Sequence, residues 1–313
     1  MSVPLAHVVR NDFVEGVHHG SAVVLDAQGH VMWSRGDITS QIFPRSSNKL
    51  MQGLAMVRSN LPLKDRLLAL ACASHSGEQF HIDGVHSILN GANLDVDSLQ
   101  CPPDYPLDDT VRDSLLAAGI EKSPIFMNCS GKHAAMLFTC VLNGWDTATY
   151  LDPHHPLQVS CCTAIEECTG ESVQHVGVDG CGAPLMSTSL TGLARSFSTF
   201  AGPTADSAQR KIADAIRANP EYLSGTRRDD FDLMRGVPGL VAKIGAEAVY
   251  GIGLGDGRAL ALKIDDGSDR ARIVVAATIL KEVLGVVAKV VDQQVTRPIY
   301  GGGKPVGRVH ATL

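Results

Sequence analysis

A serine stands three residues before a lysine in Pro44-Arg45-Ser46-Ser47-Asn48-Lys49-Leu50, where a helix is expected to begin. Of the ten lysines in the chain, only Lys49 has a serine at that spacing. On a helix, positions i and i+3 share a face, so the two side chains can meet. A lysine that has lost its proton can take one from a serine hydroxyl, which is enough for acyl transfer without histidine. The competing reading is a helix cap, since serine after proline is a common N-cap. Spacing alone favours the cap, so the decision rests on the other reactive residues.

Four further groups have chemistry-bearing types. Ser74-His75-Ser76 follows an apolar helical run. Cys129, Lys132 and His133 open another helix, where a thiolate is stabilised. Asp179-Gly180-Cys181 sits in a Gly-rich stretch that lets backbone approach a ligand. Lys243-Ile244-Gly245 is the only Lys-x-Gly in the chain. Each has a bland reading as a cap, a buried thiol, a turn or a strand end.

The elements that must position these groups follow from periodicity. Leu5 to Arg10, Ser21 to Leu25 and Val31 to Ser34 read as a strand meander, with Glu15 to Gly20 as a polar loop. Leu50, Leu54, Val57 and Leu61 recur at helical spacing. Lys49 is flanked by that stripe and is expected to be partly desolvated. More helices follow through the middle, with Ser224 to Met234 among them. Val241 to Gly245 leads into two apolar runs, Ala248 to Leu254 and Ala259 to Ile264, which read as a hairpin joined at Asp256-Gly257. Ala271 to Val291 reads as one long apolar helix. Strands at both ends around a helical middle predict an α/β (α+β) fold. Its antiparallel sheet is drawn from about 1–40 and 241–313, with a helical region over about 41–240, all in one domain spanning 1–313.

The 313 residues are 44% hydrophobic and 19% charged, enough for a sizeable core. The net charge of −6, with no basic run, argues against a nucleic-acid partner. No stretch reaches the length of a membrane span, and no secretion signal opens the chain. Eight cysteines without such a signal suggest free thiols and a cytoplasmic setting.

Taken together, S-x-x-K at a helix start, a later loop serine and K-x-G before a late strand follow the order in serine β-lactamases and penicillin-binding proteins. Ser-Asp-Asn is missing, and isoleucine fills the middle of Lys-x-Gly. A sharper resemblance is to the bacterial L-asparaginase II family of the Rhizobium etli type. It is carried by Glu15-x-x-His18-x-Gly20, Arg45-Ser46-x-x-Lys49, Ala73-Ser74-His75-Ser76-x-Glu78, Asn128-Cys129-Ser130-Gly131-Lys132-His133, Asp179-Gly180-Cys181 and Lys243-x-Gly245-Ala246.

That resemblance implies a serine β-lactamase-like fold, a homodimer, and hydrolysis of L-asparagine to aspartate and ammonia. It pairs Ser46 with Lys49 and Ser74 with Lys243, with Ser46 as nucleophile. It also implies a zinc site at Cys129, Lys132 and Cys181. Arg45, His133 and Asp179 are the candidates for holding substrate. Two alternatives remain at this point: a penicillin-interactive serine hydrolase using the same Ser46/Lys49 pair, and a non-catalytic zinc- or amino-acid-binding relative.

Overall fold

The structure, a computed structural model, describes residues 1–313. Strands β1 (Val3–Arg10), β2 (Phe13–Leu25) and β3 (Val31–Arg35) come first. A 3-10 turn over Arg45–Asn48 leads to helices α1 (Lys49–Arg58), α2 (Asp65–Ala71), α3 (Gln79–Gly91), α4 (Asp109–Ala117), α5 (Ser130–Asn143) and α6 (Pro156–Thr169). A hairpin of β4 (Val176–Val178) and β5 (Pro184–Met186) precedes α7 (Leu190–Ala201), α8 (Ser207–Ala218), α9 (Pro220–Leu223) and α10 (Asp229–Gly236). The chain closes with β6 (Val241–Gly245), β7 (Val249–Gly253), β8 (Ala259–Ile264), α11 (Asp269–Thr278), α12 (Lys289–Gln294), β9 (Thr296–Gly301) and β10 (Lys304–Ala311).

Two compact units result. One comprises Met1–Ser47, Thr188–Thr204 and Asp232–Leu313; the other comprises Asn48–Ser187 and Ala205–Phe231. No helix is long and apolar enough to cross a membrane.

The first unit is built on an antiparallel sheet in the order β6-β7-β8-β2-β1-β10-β9, with β3 also on β2. Strands from both ends of the chain therefore share one sheet, as their spacing in the sequence led us to expect. β6 and β7 are buried at every position, and β8 at all but Lys263. Such near-continuous apolar runs belong to strands covered on both faces. α7 covers β7, β8 and β2, while α11 packs on β10, β8 and β1. Phe197 of α7, almost fully buried, lies against Gly251 of β7.

Two expectations for this unit are corrected. Glu15 to Gly20 is not a loop but part of the 13-residue β2. Asn11 and Asp12 both take left-handed φ values, 44° and 64°, which makes the tight reversal a two-residue hairpin needs. β1 then pairs onto this segment from Arg10↔Phe13 to Val3↔Gly20. The long apolar helix over Ala271 to Val291 is also broken. α11 passes into a π-turn over Ile279–Val283 and stops ahead of Gly285, and α12 restarts at Lys289. Periodicity registers the apolar face and misses a break made by one left-handed glycine.

The second unit is mainly helical. α1 packs on α6, α8 and α5, and α2 packs on α8, α9, α5 and α3. Between α2 and α3 the chain runs extended through Ser74-His75-Ser76. Ser74 N donates to Leu223 O at 3.1 Å, and His75 N donates to Asn128 O at 3.0 Å. Those two bonds clamp the segment between the end of α9 and the start of α5.

Two histidines stack beneath this segment. The His75 and His81 rings lie 5.0 Å apart at 19°. His81 Nε2 meets the Glu221 carbonyl at 2.9 Å, while its Nδ1 is buried without a partner. A proton on Nδ1 would have no acceptor, and burial lowers the His81 pKa to about 4. Between pH 6.5 and about 4 the unfolded chain therefore binds a proton that the folded chain refuses. Stability is full above the unfolded value and falls with acid, by about 3 kcal/mol over that window. Urea unfolding at pH 7.5 and pH 5 is expected to show about 2 kcal/mol of this loss, and His81→Gln is expected to shrink it.

Candidate active site

The helical unit holds seven of the candidate site residues, Lys49, Ser74, Cys129, Lys132, His133, Asp179 and Cys181. Lys49, the first residue of α1, is 1% exposed. Its Nζ donates to Ala73 O at 2.5 Å, Ser74 Oγ at 2.9 Å and Cys129 Sγ at 3.0 Å. A buried amine needs acceptors of this kind, since desolvation without them is costly. Lys49 is thus in hydrogen-bond contact with Ser74, a pairing that neither spacing nor family order had suggested. No side chain caps α1, whose N-cap position is Asn48, so the cap role first weighed for Ser46 is set aside.

α5 supplies the next part. Cys129 precedes its first turn, and Lys132 and His133 follow at i+3 and i+4, on the same face. Lys132 Nζ donates to Cys181 Sγ at 3.1 Å. Cys181 sits in the β4–β5 turn, which is closed by Asp179 N to Ala183 O at 2.9 Å and Gly182 N to Asp179 O at 2.8 Å. The Cys129 and Cys181 thiols are close enough for each to shift the other's proton affinity. Together these contacts run from Ser74 through Lys49, Cys129 and Cys181 to Lys132.

The two thiols hold unequal protons. A hydrogen bond from Cys129 pulls Cys181 well below the ordinary thiol range, against burial and with help from Lys132. Cys129 is pushed up by the Cys181 sulfur and then by burial. The negative charge therefore sits on Cys181. Burial opposes charge on Lys132, but the Cys181 and Cys129 sulfurs outweigh it and raise its pKa. Burial also lowers His133, which the Cys181 sulfur opposes.

Tyr150 is a residue the sequence reading missed. Its hydroxyl accepts from Gln100 N at 3.2 Å and meets His133 Nδ1 at 2.7 Å. A lone tyrosine between two helices carries no motif that would have flagged it.

Cys129, Cys181 and Lys132 form a buried S2N donor set, with the buried His133 side chain beside Cys181. No cluster of three or more His, Cys, Asp and Glu side chains stands ready to hold a metal. The set reaches three ligands only through Lys132, which must first lose its proton. With that condition, thiolate and nitrogen donors fit the preference of zinc.

Arg45, Ser46 and Lys243 belong to the sheet unit. Arg45 opens the 3-10 turn in a left-handed conformation, φ 53°, and its Nη1 lies 4.0 Å from Glu247 Oε1. That conformation costs a non-glycine residue about 1–2 kcal/mol. The strain sits next to Ser46, and strained backbone is often kept where function needs it. Ser47 Oγ donates to Pro44 O at 2.6 Å and fixes the turn. Lys243 is fully buried on β6 and donates to Ile244 O at 3.0 Å. At the end of the same strand, a Cβ on Gly245 would fall 2.4 Å from Pro44 O. Only glycine admits the turn carrying Ser46 so close to the strand carrying Lys243, which gives Lys-x-Gly a steric reason.

Comparison with known proteins gives a family and a set of distant folds. The sequence profile of the family described as L-asparaginase II matches residues 6–311. No curated protein matches the chain. Among solved structures, Mglu in its native form is 12% identical, with 85% of this chain and 65% of that chain covered and a TM-score of 0.47. The chain thus spans 65% of the length of that Mglu chain. A Bacillus glutaminase in 4.3 M NaCl is 11% identical, with 85% and 90% covered and a TM-score of 0.39. Likenesses this distant carry no argument about substrate.

Proposed function

Because the chain belongs to the L-asparaginase II family and is an asparaginase-type amidohydrolase, we propose that it hydrolyses L-asparagine to L-aspartate and ammonia through a Ser-Lys acyl-enzyme. The observation that carries this reading is the buried Lys49 held 2.9 Å from Ser74 Oγ. A lysine paired with a serine hydroxyl is a base joined to a group that can attack or relay a proton.

In this reading Lys49 takes a serine proton, and the serine oxygen bonds to the side-chain amide carbon of asparagine. Collapse breaks the C–N bond, and the nitrogen leaves as ammonia after accepting a proton. Water then cleaves the ester and restores the serine. Ser46 is the nucleophile by its spacing and its match to the family pattern, with Ser74 as the relay. Lys243 assists Ser74 in the family order. The Lys49–Ser74 hydrogen bond supports a second reading in which Ser74 itself attacks.

Cys129, Lys132 and Cys181 would hold zinc, which when bound supplies a Lewis acid beside the pair. His133, positioned by Tyr150, then serves to orient substrate or ligand. A homodimer and a cytoplasmic setting complete the proposal; the first follows the family resemblance, the second the free-thiol composition.

Mass spectrometry of protein quenched during turnover of asparagine separates the two serines. An adduct on the Ser46 peptide, and activity lowered about 10³-fold or more in Ser46→Ala, is the expected result. Full activity in Ser46→Ala with an adduct on Ser74 would move the nucleophile to Ser74. The penicillin-interactive alternative calls for covalent labelling by a fluorescent penicillin, and no labelling is expected.

A further inference from the structure

Sequence reading places a helix over Ser224 to Met234, but α10 begins only at Asp229. The residues before it form a loop tied down at several points. Gly225 has φ 133°, and a Cβ there would fall 2.0 Å from Ser76 Oγ. Thr226 donates to the Glu78 carboxylate through its N at 2.9 Å and through Oγ1 at 2.6 Å, and Ser76 Oγ donates to the same group at 2.8 Å. Arg227 reaches Asp108 at 2.8 Å and Thr110 Oγ1 at 3.1 Å. This loop is fixed against the Ser74–Glu78 segment.

Its next residues are placed over Ser74. Arg228 Nη1 donates to Ser74 O at 3.4 Å, and its Nε lies 4.0 Å from Asp230 Oδ1. The Asp230 side chain is 0% exposed. Its Oδ1 accepts from Phe231 N at 3.1 Å, while Oδ2 is buried with no hydrogen-bond partner. An orphaned buried acceptor costs about 1–3 kcal/mol, so it calls for an explanation. A purely structural ion pair would close on its arginine, and this one stays at 4.0 Å.

Ser74 thus offers its hydroxyl to Lys49 and its carbonyl to Arg228. Resting on the amidohydrolase reading above, we propose that Arg228 and Asp230 bind the zwitterionic end of an α-amino acid. Arg228 takes the α-carboxylate, and Asp230 Oδ2 accepts a hydrogen bond from the α-ammonium. In asparagine a single methylene joins that end to the amide, so the charged pair must lie close to the reacting serine, as Arg228 does. The role that sequence reasoning gave to Arg45 or Asp179 passes to this pair. It also selects free amino acids over amides lacking either charge, because each missing charge leaves a desolvated partner unpaired.

Calorimetric titration of the full-length protein tests the pair without relying on turnover. The ligands are L-aspartate, succinate (which lacks the α-ammonium) and β-alanine (which lacks the α-carboxylate). Asp230→Asn is expected to weaken L-aspartate about 10–100-fold and not to weaken succinate. Arg228→Gln is expected to weaken L-aspartate and succinate and not to weaken β-alanine, with Arg228→Lys recovering part of the loss. In turnover the same variants raise KM more than they lower kcat. Wild-type binding of L-aspartate by Asp230→Asn, equal losses for aspartate and succinate, or no aspartate binding by the wild type would each overturn the proposal. Should the wild type release no ammonia from asparagine yet show this binding pattern, the asparaginase reading fails and the amino-acid site stands. Ammonia release from asparagine with unaltered binding in both variants would keep the asparaginase reading and overturn the amino-acid site.

Discussion

Lys49→Met is expected to lower ammonia release by about 10³–10⁴-fold while the protein still folds. Methionine is close to lysine in length and is at home in a buried site, so the α1 packing around Leu50, Met51 and Leu54 is kept. What disappears is a donor to Ala73 O, Ser74 Oγ and Cys129 Sγ at once. The Ala73 carbonyl loses its hydrogen-bond partner, which costs about 1–3 kcal/mol of stability. The catalytic loss is larger, because a serine hydroxyl without a base is a poor nucleophile at neutral pH. Circular dichroism and a thermal melt check the fold, and an ammonia assay reads the activity. A variant that folds and retains a tenth of wild-type activity would remove Lys49 from the mechanism.

Phe197→Ala destabilises the sheet unit by about 3–5 kcal/mol. The ring is 1% exposed and fills the space over Gly251, where β7 presents no side chain of its own. α7 reaches β7, β8, β2 and β6 in this one layer, so few other contacts can make up for the void. The cavity cannot easily collapse, because Gly253 already brings β7 backbone against the carbonyl of Phe197. Urea unfolding reads the change. The chain has two tryptophans, Trp33 in the sheet unit and Trp145 in the helical unit. In a Trp145→Phe background, Trp33 fluorescence reports the sheet unit alone. A midpoint unchanged by Phe197→Ala would show that α7 is not held by this ring.

The strands and the reactive types were legible because each leaves a local mark. The apolar runs Ala248 to Leu254 and Ala259 to Ile264 read as strands of a hairpin, and they are. The Asp256-Gly257 reversal between β7 and β8 also shows in residue type. Cys129, Lys132 and His133 share a helix face by spacing alone. What stayed hidden depends on single backbone angles or on distant partners. The β1–β2 turn rests on two left-handed residues whose neighbours, rich in Glu, His and Gly, resemble a loop. The Lys49–Ser74 bond joins residues 25 apart, and the Glu78–Thr226 clamp joins residues 148 apart. No periodicity encodes such pairs. Arg228 and Asp230 were passed over for that reason: in sequence they are two charges in a polar stretch, and only the Gly225 loop carries them to Ser74.

Incubation of the purified protein with L-asparagine, with aspartate and ammonia both quantified over time, tests the central claim most directly. Equimolar aspartate and ammonia, formed catalytically and abolished in Lys49→Met, is the result expected. No product above the protein-free control, or equal product from wild type and Lys49→Met, would contradict it.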